Sequence, residues 1–276
     1  MNLEAKLRTL RISSLAVTGF AILLVLAGLS QLVLGGVAVK EEYERIERLE
    51  ALAPPPSQYY GYQQQRRQLQ AEYNRSGSAF FIEGRFLPAG DDQKPGIISI
   101  ISLITLMLAA LGFVVSALIW VWRAHANIRE VGIRSKYGPG FAVASYLIPV
   151  ANFMLPFEAM RELHNRSHGE SEDFAHSGVE NVTAWWTAVL VGLLIFSAMI
   201  VKFALDAGTN LILMTPLWME FALLAFAILL LLVSAYLFSS LTRAITAAQE
   251  EVLPEIDPAG IEAEMPDKPR VNIIGA

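Results

Sequence analysis

The chain has 276 residues, of which 54% are hydrophobic and 17% charged, with a net charge of −5 and a mean hydropathy of +0.44. This composition is too apolar for a soluble domain and indicates a protein that crosses a membrane several times. It implies no nucleic-acid partner, and because the chain has no cysteine it excludes disulfides, thiolate metal sites and cysteine nucleophiles.

The first predicted element is a membrane-spanning helix at residues 12–39, which follows a basic leader containing Lys6, Arg8 and Arg11. A cleaved signal peptide also begins with basic residues, but its apolar core is only about 7 to 15 residues long. The run here is long enough to cross a bilayer. We therefore expect region 1–39 to be retained as the leader and first transmembrane helix.

Residues 40–95 are predicted to form a helical hairpin outside the membrane. Tyr43, Ile46 and Leu49 lie at helical spacing, and three prolines at positions 54–56 then break the chain. A polar helical pattern resumes beyond them. This region joins the first span to a membrane core at residues 96–250.

Three further spans are predicted within the membrane core, at residues 97–122, 183–205 and 214–240, because each apolar run is long enough to cross as a helix. The tail at 251–276 is acidic and rich in proline, which predicts disorder. Tryptophans lie near the span ends, where an amphipathic ring prefers the level of the lipid headgroups, and all of them are predicted to be interfacial anchors. These are Trp120, Trp122, Trp185, Trp186 and Trp218.

The segment at 138–165 begins like a membrane helix, but its apolar part is short and contains Pro149 and Pro156. Each proline removes a backbone donor, and the carbonyl groups that lose their partners at membrane depth must be satisfied by protein or water. We therefore predict a proline-broken segment that is re-entrant or interfacial and does not form a fifth span. Asn152, between the prolines, can donate and accept hydrogen bonds to that backbone.

The distribution of basic residues predicts the orientation. With four spans, the leader, the loop at 123–181 and the segment containing Arg243 share one side, whereas the connector at 206–213 on the other side has no Lys or Arg. Because basic loops remain in the cytoplasm, both termini are expected to be cytoplasmic. A fifth span would export several of the arginines.

Several short sequences occur in a defined order along the second half of the chain. They are Trp122-Arg123-Ala124-His125-Ala126-Asn127, Gly138-Pro139-Gly140, the run 146–163 with Pro149, Asn152 and Pro156, Trp185-Trp186, and the closing Thr242-Arg243-Ala244-Ile245-Thr246-Ala247-Ala248-Gln249. This ordered set resembles the bacterial membrane family catalogued as domain of unknown function 4328, over roughly residues 97–250. The resemblance implies a bacterial inner-membrane protein with several helices, and it implies no established activity. The loop at 40–95 departs from the family pattern.

Arg123 and Asn127 are four residues apart and therefore share one helix face where the second span leaves the membrane. They are candidates for binding an anionic ligand or a lipid headgroup, with Arg as a planar donor and Asn in support. The alternative is a snorkelling arginine beside a helix-end asparagine. With Asn152 and Arg161, these two residues make up the predicted lipid- or ligand-binding set.

The charged run after the broken segment has two interpretations. Glu158 and Arg161 can pair on a solvated helix face, whereas a catalytic site would require a carboxylate and His164 to converge. His164 and His168 are four residues apart, but no metalloprotease-type pattern surrounds them, so no metal is expected. No glycine-rich phosphate loop or nucleophile elbow occurs, and no cofactor is predicted.

Lys202 and Glu220 lie several residues inside the ends of the last two spans. A charge within a span is unfavourable, so the two side chains are predicted to form an intramembrane ion pair, with snorkelling of Lys202 as the alternative.

The sequence thus predicts an all-α integral membrane protein with four transmembrane helices and a proline-broken segment. The first functional hypothesis is a non-enzymatic component that binds membrane lipids, and possibly another membrane protein, through the broken segment and the external hairpin. The second is a transporter or channel for small solutes, since broken helices can line substrate sites. The third is a membrane enzyme that acts on lipid-linked substrates through Glu158, Arg161 and His164.

Overall fold

The structure, a computed structural model, describes residues 3–51, 97–148, 151–170, 177–208 and 215–256. Within these ranges the chain forms helices and no strand. The α-helices in chain order are α1 (Leu3–Ala51), α2 (Ile97–Glu130), α3 (Pro139–Leu147), α4 (Leu155–Ser167), α5 (Ser177–Gly208) and α6 (Leu217–Val252). Short 3-10 helices lie at Ala151–Phe153 and Leu253–Glu255.

Four of these helices, α1, α2, α5 and α6, are long and apolar enough to cross a membrane. The shortest apolar stretch among them, Glu180–Lys202, has 23 residues, which exceeds the roughly 20 residues that a bilayer requires. The prediction of an all-α membrane protein with four spans is therefore confirmed.

Two of the long helices continue beyond the apolar runs from which the spans are predicted. α1 continues without a break to Ala51, so the start of the predicted external hairpin is an extension of the first span. α6 continues to Val252 and is followed by a 3-10 turn in which Leu253 is 1% exposed, so the start of the predicted disordered tail is ordered. The rest of the hairpin and the tail from residue 257 lie outside the described residues.

The chain divides into two compact units. The first unit comprises Met1–Ala16, Ser116–Val182 and Ser240–Ala276, and the second comprises Val17–Val115 and Thr183–Ser239. Each unit combines segments that are far apart in the sequence.

The second unit is built from the apolar parts of the four long helices, and at two of its helix contacts a neighbouring side chain packs directly against a glycine. A Cβ atom at Gly28 would lie 2.7 Å from the Leu232 side chain, and one at Gly112 would overlap the Phe20 ring. Small residues that allow helices to approach closely are typical of packing in membranes. Large apolar side chains elsewhere on this unit are exposed, including Met107 (66%), which fits a surface that faces lipid.

The first unit has a small apolar cluster and an unusually polar interior. Leu7, Val131 and Leu253 form the buried cluster, and they bring the start of α1, the end of α2 and the end of α6 together. Lys6 and Glu130 form an ion pair between the same parts of α1 and α2. These contacts make the ends of α1, α2 and α6 part of one folded unit.

Glycines end two helices of the first unit. Gly169 follows α4 with φ of +73°, and the amide of Glu170 donates to the carbonyl of Asn165 at 3.0 Å. Gly132 follows α2 with φ of +85°. Both lie in the left-handed region that side chains disfavour, as is common for the residue after a helix end.

The broken segment consists of α3, a 3-10 turn and α4. Pro139 occupies the first turn of α3 and Pro156 the first turn of α4, where a helix has no internal partner for the backbone N–H group. Pro156 therefore lies where the second helix of the broken segment begins, and its missing N–H group leaves no carbonyl within α4 without a partner. Pro149 lies outside the described residues, and the N–H of Asn152 donates to the carbonyl of Ile148 at 2.8 Å.

The prediction that all tryptophans are interfacial anchors is wrong for three of them. Trp120 is completely buried, and Trp185 and Trp186 are 4% and 6% exposed. Only Trp122 and Trp218 have rings that are more than half exposed, at 52% and 57%. Position near a span end does not distinguish a headgroup anchor from a ring that packs between helices, because both lie at the same depth.

Candidate functional site

The interior of the first unit is centred on Gln249, whose side chain is completely buried at the end of α6. Its Nε2 donates to the carbonyl oxygen of Ala124 at 3.1 Å and to Ser167 Oγ at 3.0 Å, and its Oε1 lies 3.5 Å from Asn127 Nδ2. The last distance is at the upper limit for a hydrogen bond, so the two Nε2 contacts are the stronger ones. One amide thus connects α2, α4 and α6.

A second polar contact between α2 and α6 involves Trp120. Its Nε1 donates to Thr246 Oγ1 at 3.1 Å, and Thr246 Oγ1 in turn donates to the carbonyl of Thr242 at 2.6 Å. Other buried polar side chains in the unit include His125, Ser145, Glu162, His164, Asn165 and Ser167. Since buried polar groups stabilise a fold only when hydrogen-bonded, the bonds of Gln249, Trp120 and Thr246 help to define how α2, α4 and α6 pack.

The loop between α2 and α3 is held against α4 by two glutamates one helical turn apart. Glu162, 2% exposed, accepts hydrogen bonds from the backbone N–H groups of Lys136 and Tyr137, the latter at 3.1 Å. Glu158 accepts a hydrogen bond from the Tyr137 hydroxyl, and its carboxylate lies 3.7 Å from Lys136 Nζ. The spacing of four residues places both carboxylates on one face of α4.

Tyr137 is a buried residue of this loop, at 5% exposed. Burial, and secondly the hydrogen bond to Glu158, raises the pKa of its phenol above the ordinary value of 10.0. The hydroxyl therefore stays protonated at neutral pH and acts as the donor that fixes the Glu158 carboxylate.

The surface next to this loop is apolar. The exposed side chains lie on α3 and on the turn that precedes α4, and they are large. They are Phe141 (49%), Leu147 (68%), Ile148 (48%), Phe153 (63%) and Met154 (67%). We call these five residues the apolar edge. The Phe141 ring stacks on Tyr137 with 5.9 Å between ring centroids, which connects the apolar edge to the Glu158 loop.

Exposed basic side chains also occur on the first unit. They are Arg8, Arg11, Arg129, Arg134, Lys136 and Arg243.

The structure gives Arg123 and Asn127 different partners. Arg123 Nη1 donates to the carbonyl of Thr9 in α1 at 2.8 Å, whereas the buried Asn127 amide faces Gln249. The two side chains therefore contact different helices, Arg123 meeting α1 and Asn127 meeting α6.

The candidate residues of α4 lie in various environments. Arg161 is half-buried, His164 is buried, and Glu158, which was predicted to pair with Arg161, contacts Lys136 and Tyr137. The His164 and His168 rings stack with 4.4 Å between centroids, and the described part of the chain holds no group of three side chains that could ligate a metal ion.

In the second unit, Lys202 Nζ lies 2.7 Å from Glu220 Oε1, and the side chains are 18% and 9% exposed. The Thr215 hydroxyl donates to the same carboxylate oxygen. Gln31 is also buried in this unit, and its Nε2 donates to Ser102 Oγ at 3.0 Å. The second unit therefore contains an ion pair and a polar contact between α1 and α2 among apolar helices.

Four long apolar helices, together with a polar unit closed by hydrogen bonds between α2, α4 and α6, define a helical membrane protein with several spans. The family model described as "Domain of unknown function (DUF4328)" matches residues 92–247, more than half of the chain, and the chain belongs to this family. No curated protein and no solved structure matches the chain.

Sequence reasoning missed the role of Gln249, which it included only as part of the closing family motif, and it missed the contacts of Tyr137. The sequence did contain a sign of the contact between α4 and this loop. Two glutamates lie four residues apart on α4, the spacing that places two side chains on one helix face. The partner of that face cannot be identified from periodicity, because it lies in a loop more than 20 residues earlier in the chain.

Proposed function

We propose that this protein binds phospholipid of the cytoplasmic leaflet of a bacterial inner membrane through the apolar edge of its first unit. The observation that carries the proposal is the exposure of the five large side chains of that edge, between 48% and 68%. Adjacent exposed apolar side chains of this size are typical of surfaces that contact lipid or another protein.

The energetics favour contact with lipid. Complete burial of a large apolar side chain contributes about 1.5 to 3 kcal/mol, so a half-exposed one still gains about 1 kcal/mol when it enters acyl chains. Five such side chains together gain about 5 kcal/mol, comparable with the membrane binding of one myristoyl chain, and this adds to the anchorage that the spans provide. On this proposal the broken segment lies in the interfacial region of the leaflet and does not cross it.

Charge supports the cytoplasmic side. The exposed cations of the first unit include Arg129 and Arg134, and each basic residue near an anionic leaflet contributes about 1 kcal/mol of attraction. The positive-inside rule assigns this unit, with both termini, to the cytoplasmic face.

The test is the amount of phospholipid that stays with the purified protein. The double variant Phe153→Ser, Met154→Ser is compared with wild type after repeated detergent washing, by native mass spectrometry. We expect wild type to retain phospholipid at a defined stoichiometry and the double variant to lose most of it. A matched control is Met107→Ser, which changes a side chain of 66% exposure in the second unit. This variant should retain phospholipid at the wild-type level, because the loosely held lipid around the spans washes away from wild type and variant alike.

Two results would contradict the proposal. Wild type that carries no phospholipid after washing would show that the apolar edge holds none. A stoichiometric protein companion that is lost with the double variant would show that the edge binds protein and not lipid.

A further inference from the structure

We infer that the Lys136 and Glu158 pair, beside the apolar edge, recognises the zwitterionic headgroup of an amine-bearing phospholipid such as phosphatidylethanolamine. This inference rests on the proposed lipid binding and specifies the headgroup class.

The pair combines a carboxylate that is held in place and an ammonium that is more exposed. The Glu158 carboxylate is held by the Tyr137 hydroxyl, whereas the Lys136 side chain is 58% exposed and its Nζ lies 3.7 Å from Glu158 Oε2. Exposed ion pairs contribute little to stability, so this pair opens readily to admit a ligand. A cation and an anion within one small area are thereby presented to solvent.

A headgroup that carries both charges matches this arrangement. Its phosphate pairs with the Lys136 ammonium while its primary ammonium donates hydrogen bonds to the Glu158 carboxylate, so neither protein charge loses a partner. The phosphate of an anionic headgroup such as phosphatidylglycerol can also pair with Lys136, but this headgroup has no cation to offer the Glu158 carboxylate and is repelled by it. A choline headgroup has the right charges, but its quaternary nitrogen has no N–H to donate.

The apolar edge supplies the acyl-chain contact next to this charge pair. Phe141 is 49% exposed and stacks on Tyr137, the same residue whose hydroxyl fixes Glu158. The aromatic ring that faces the chains and the carboxylate that faces the ammonium are therefore held by one buried side chain. Glu162, which binds the backbone N–H groups of Lys136 and Tyr137, keeps the loop in place.

The test uses the full chain in nanodiscs made from equal amounts of phosphatidylethanolamine and phosphatidylglycerol, followed by detergent extraction and mass spectrometry of the retained lipid. We expect wild type to retain phosphatidylethanolamine over phosphatidylglycerol by about fivefold, the ratio that one exposed charge contact provides. Glu158→Gln keeps an acceptor for the Tyr137 hydroxyl but removes the negative charge, and it should abolish the preference. A parallel preparation with phosphatidylcholine in place of phosphatidylethanolamine should show no preference.

Lys40 and Glu44 provide the matched control, because they form another exposed pair with 3.6 Å between Nζ and Oε1. Glu44→Gln should leave the wild-type ratio unchanged. Soluble glycerophosphoethanolamine, added during washing, should not displace the retained lipid because it lacks acyl chains.

Retained lipid with the composition of the nanodisc would overturn the headgroup inference while leaving lipid binding intact. Absence of any retained lipid would overturn both. Displacement by the soluble headgroup would identify a water-soluble ligand and overturn the assignment to a lipid.

Discussion

Replacement of Gln249 with leucine is the most informative perturbation of the first unit. Leucine is close to glutamine in size, so the change leaves little cavity and acts mainly by removing hydrogen bonds. The side chain is completely buried, so the groups that lose the amide lie away from solvent.

The magnitude follows from the contacts. Two Nε2 hydrogen bonds, to the Ala124 carbonyl and to Ser167 Oγ, are lost, and each contributes about 0.5 to 1.5 kcal/mol. The third contact, at 3.5 Å, adds little. Ser167 retains its own hydrogen bond to the Leu163 carbonyl at 2.7 Å, so it is not left without a partner. We expect Gln249→Leu to lower the free energy of unfolding by about 1 to 3 kcal/mol.

The assay is thermal unfolding in detergent, followed by circular dichroism. For a chain of this size, each kcal/mol lowers the Tm by about 2 to 4 °C. The control is Ala247→Leu, which adds a leucine at an exposed position in the same part of α6 and should leave the Tm unchanged.

The reasoning would be refuted if Gln249→Leu had the same Tm as Ala247→Leu. That result would mean that the amide contacts between α2, α4 and α6 add nothing to stability.

Three other predictions concern the spans and their orientation. Lys202→Ala and Glu220→Ala should each cost about 3 kcal/mol in thermal unfolding, and the double variant should recover part of the loss because neither charge remains unpaired; fully additive losses would exclude coupling. In single-tryptophan variants, lipids brominated in the acyl chains should quench Trp122 strongly and the buried Trp120 weakly, and equal quenching would contradict the burial. Glu170→Cys in intact cells should react with a membrane-impermeant thiol reagent only after permeabilisation, since labelling from outside would invert the proposed orientation.

The sequence predicts the spans well because their physical cause is local. A run of apolar residues longer than the bilayer thickness forms a helix whatever its neighbours are, and the four runs do so here. The helix ends are less predictable. α1 and α6 continue beyond their apolar runs because helical propensity and contacts such as the Leu7, Val131 and Leu253 cluster extend them.

The candidate site was predictable only in part, because its contacts join residues far apart in the chain. The short apolar run and the surrounding basic residues were enough to predict that the segment does not cross the membrane and lies on the side that holds the arginines. The place of Pro156 in the first turn of α4 is not visible in the sequence, because a proline in the first turn of a helix and a proline inside one look alike until the start of the helix is known. The Gln249 amide meets Ala124 across 125 residues, and no periodicity encodes such a contact.

The same limitation explains the tryptophans. Trp120 and Trp122 are two residues apart on α2, so they face in different directions on the helix. One meets Thr246 and the other is exposed, and only the position of α6 decides which.

The central claim is that the apolar edge lies in lipid, and a spin label on Met154→Cys tests it most directly in this cysteine-free chain. The protein is placed in liposomes, and the label's collision rates with oxygen and with a water-soluble nickel complex are measured. Oxygen concentrates in the acyl chains, whereas the nickel complex stays in water. The same two rates are measured for a label on Arg134→Cys. The account predicts that oxygen dominates at position 154 and the nickel complex at position 134. Dominance of the nickel complex at both positions would place the apolar edge in water and contradict the account.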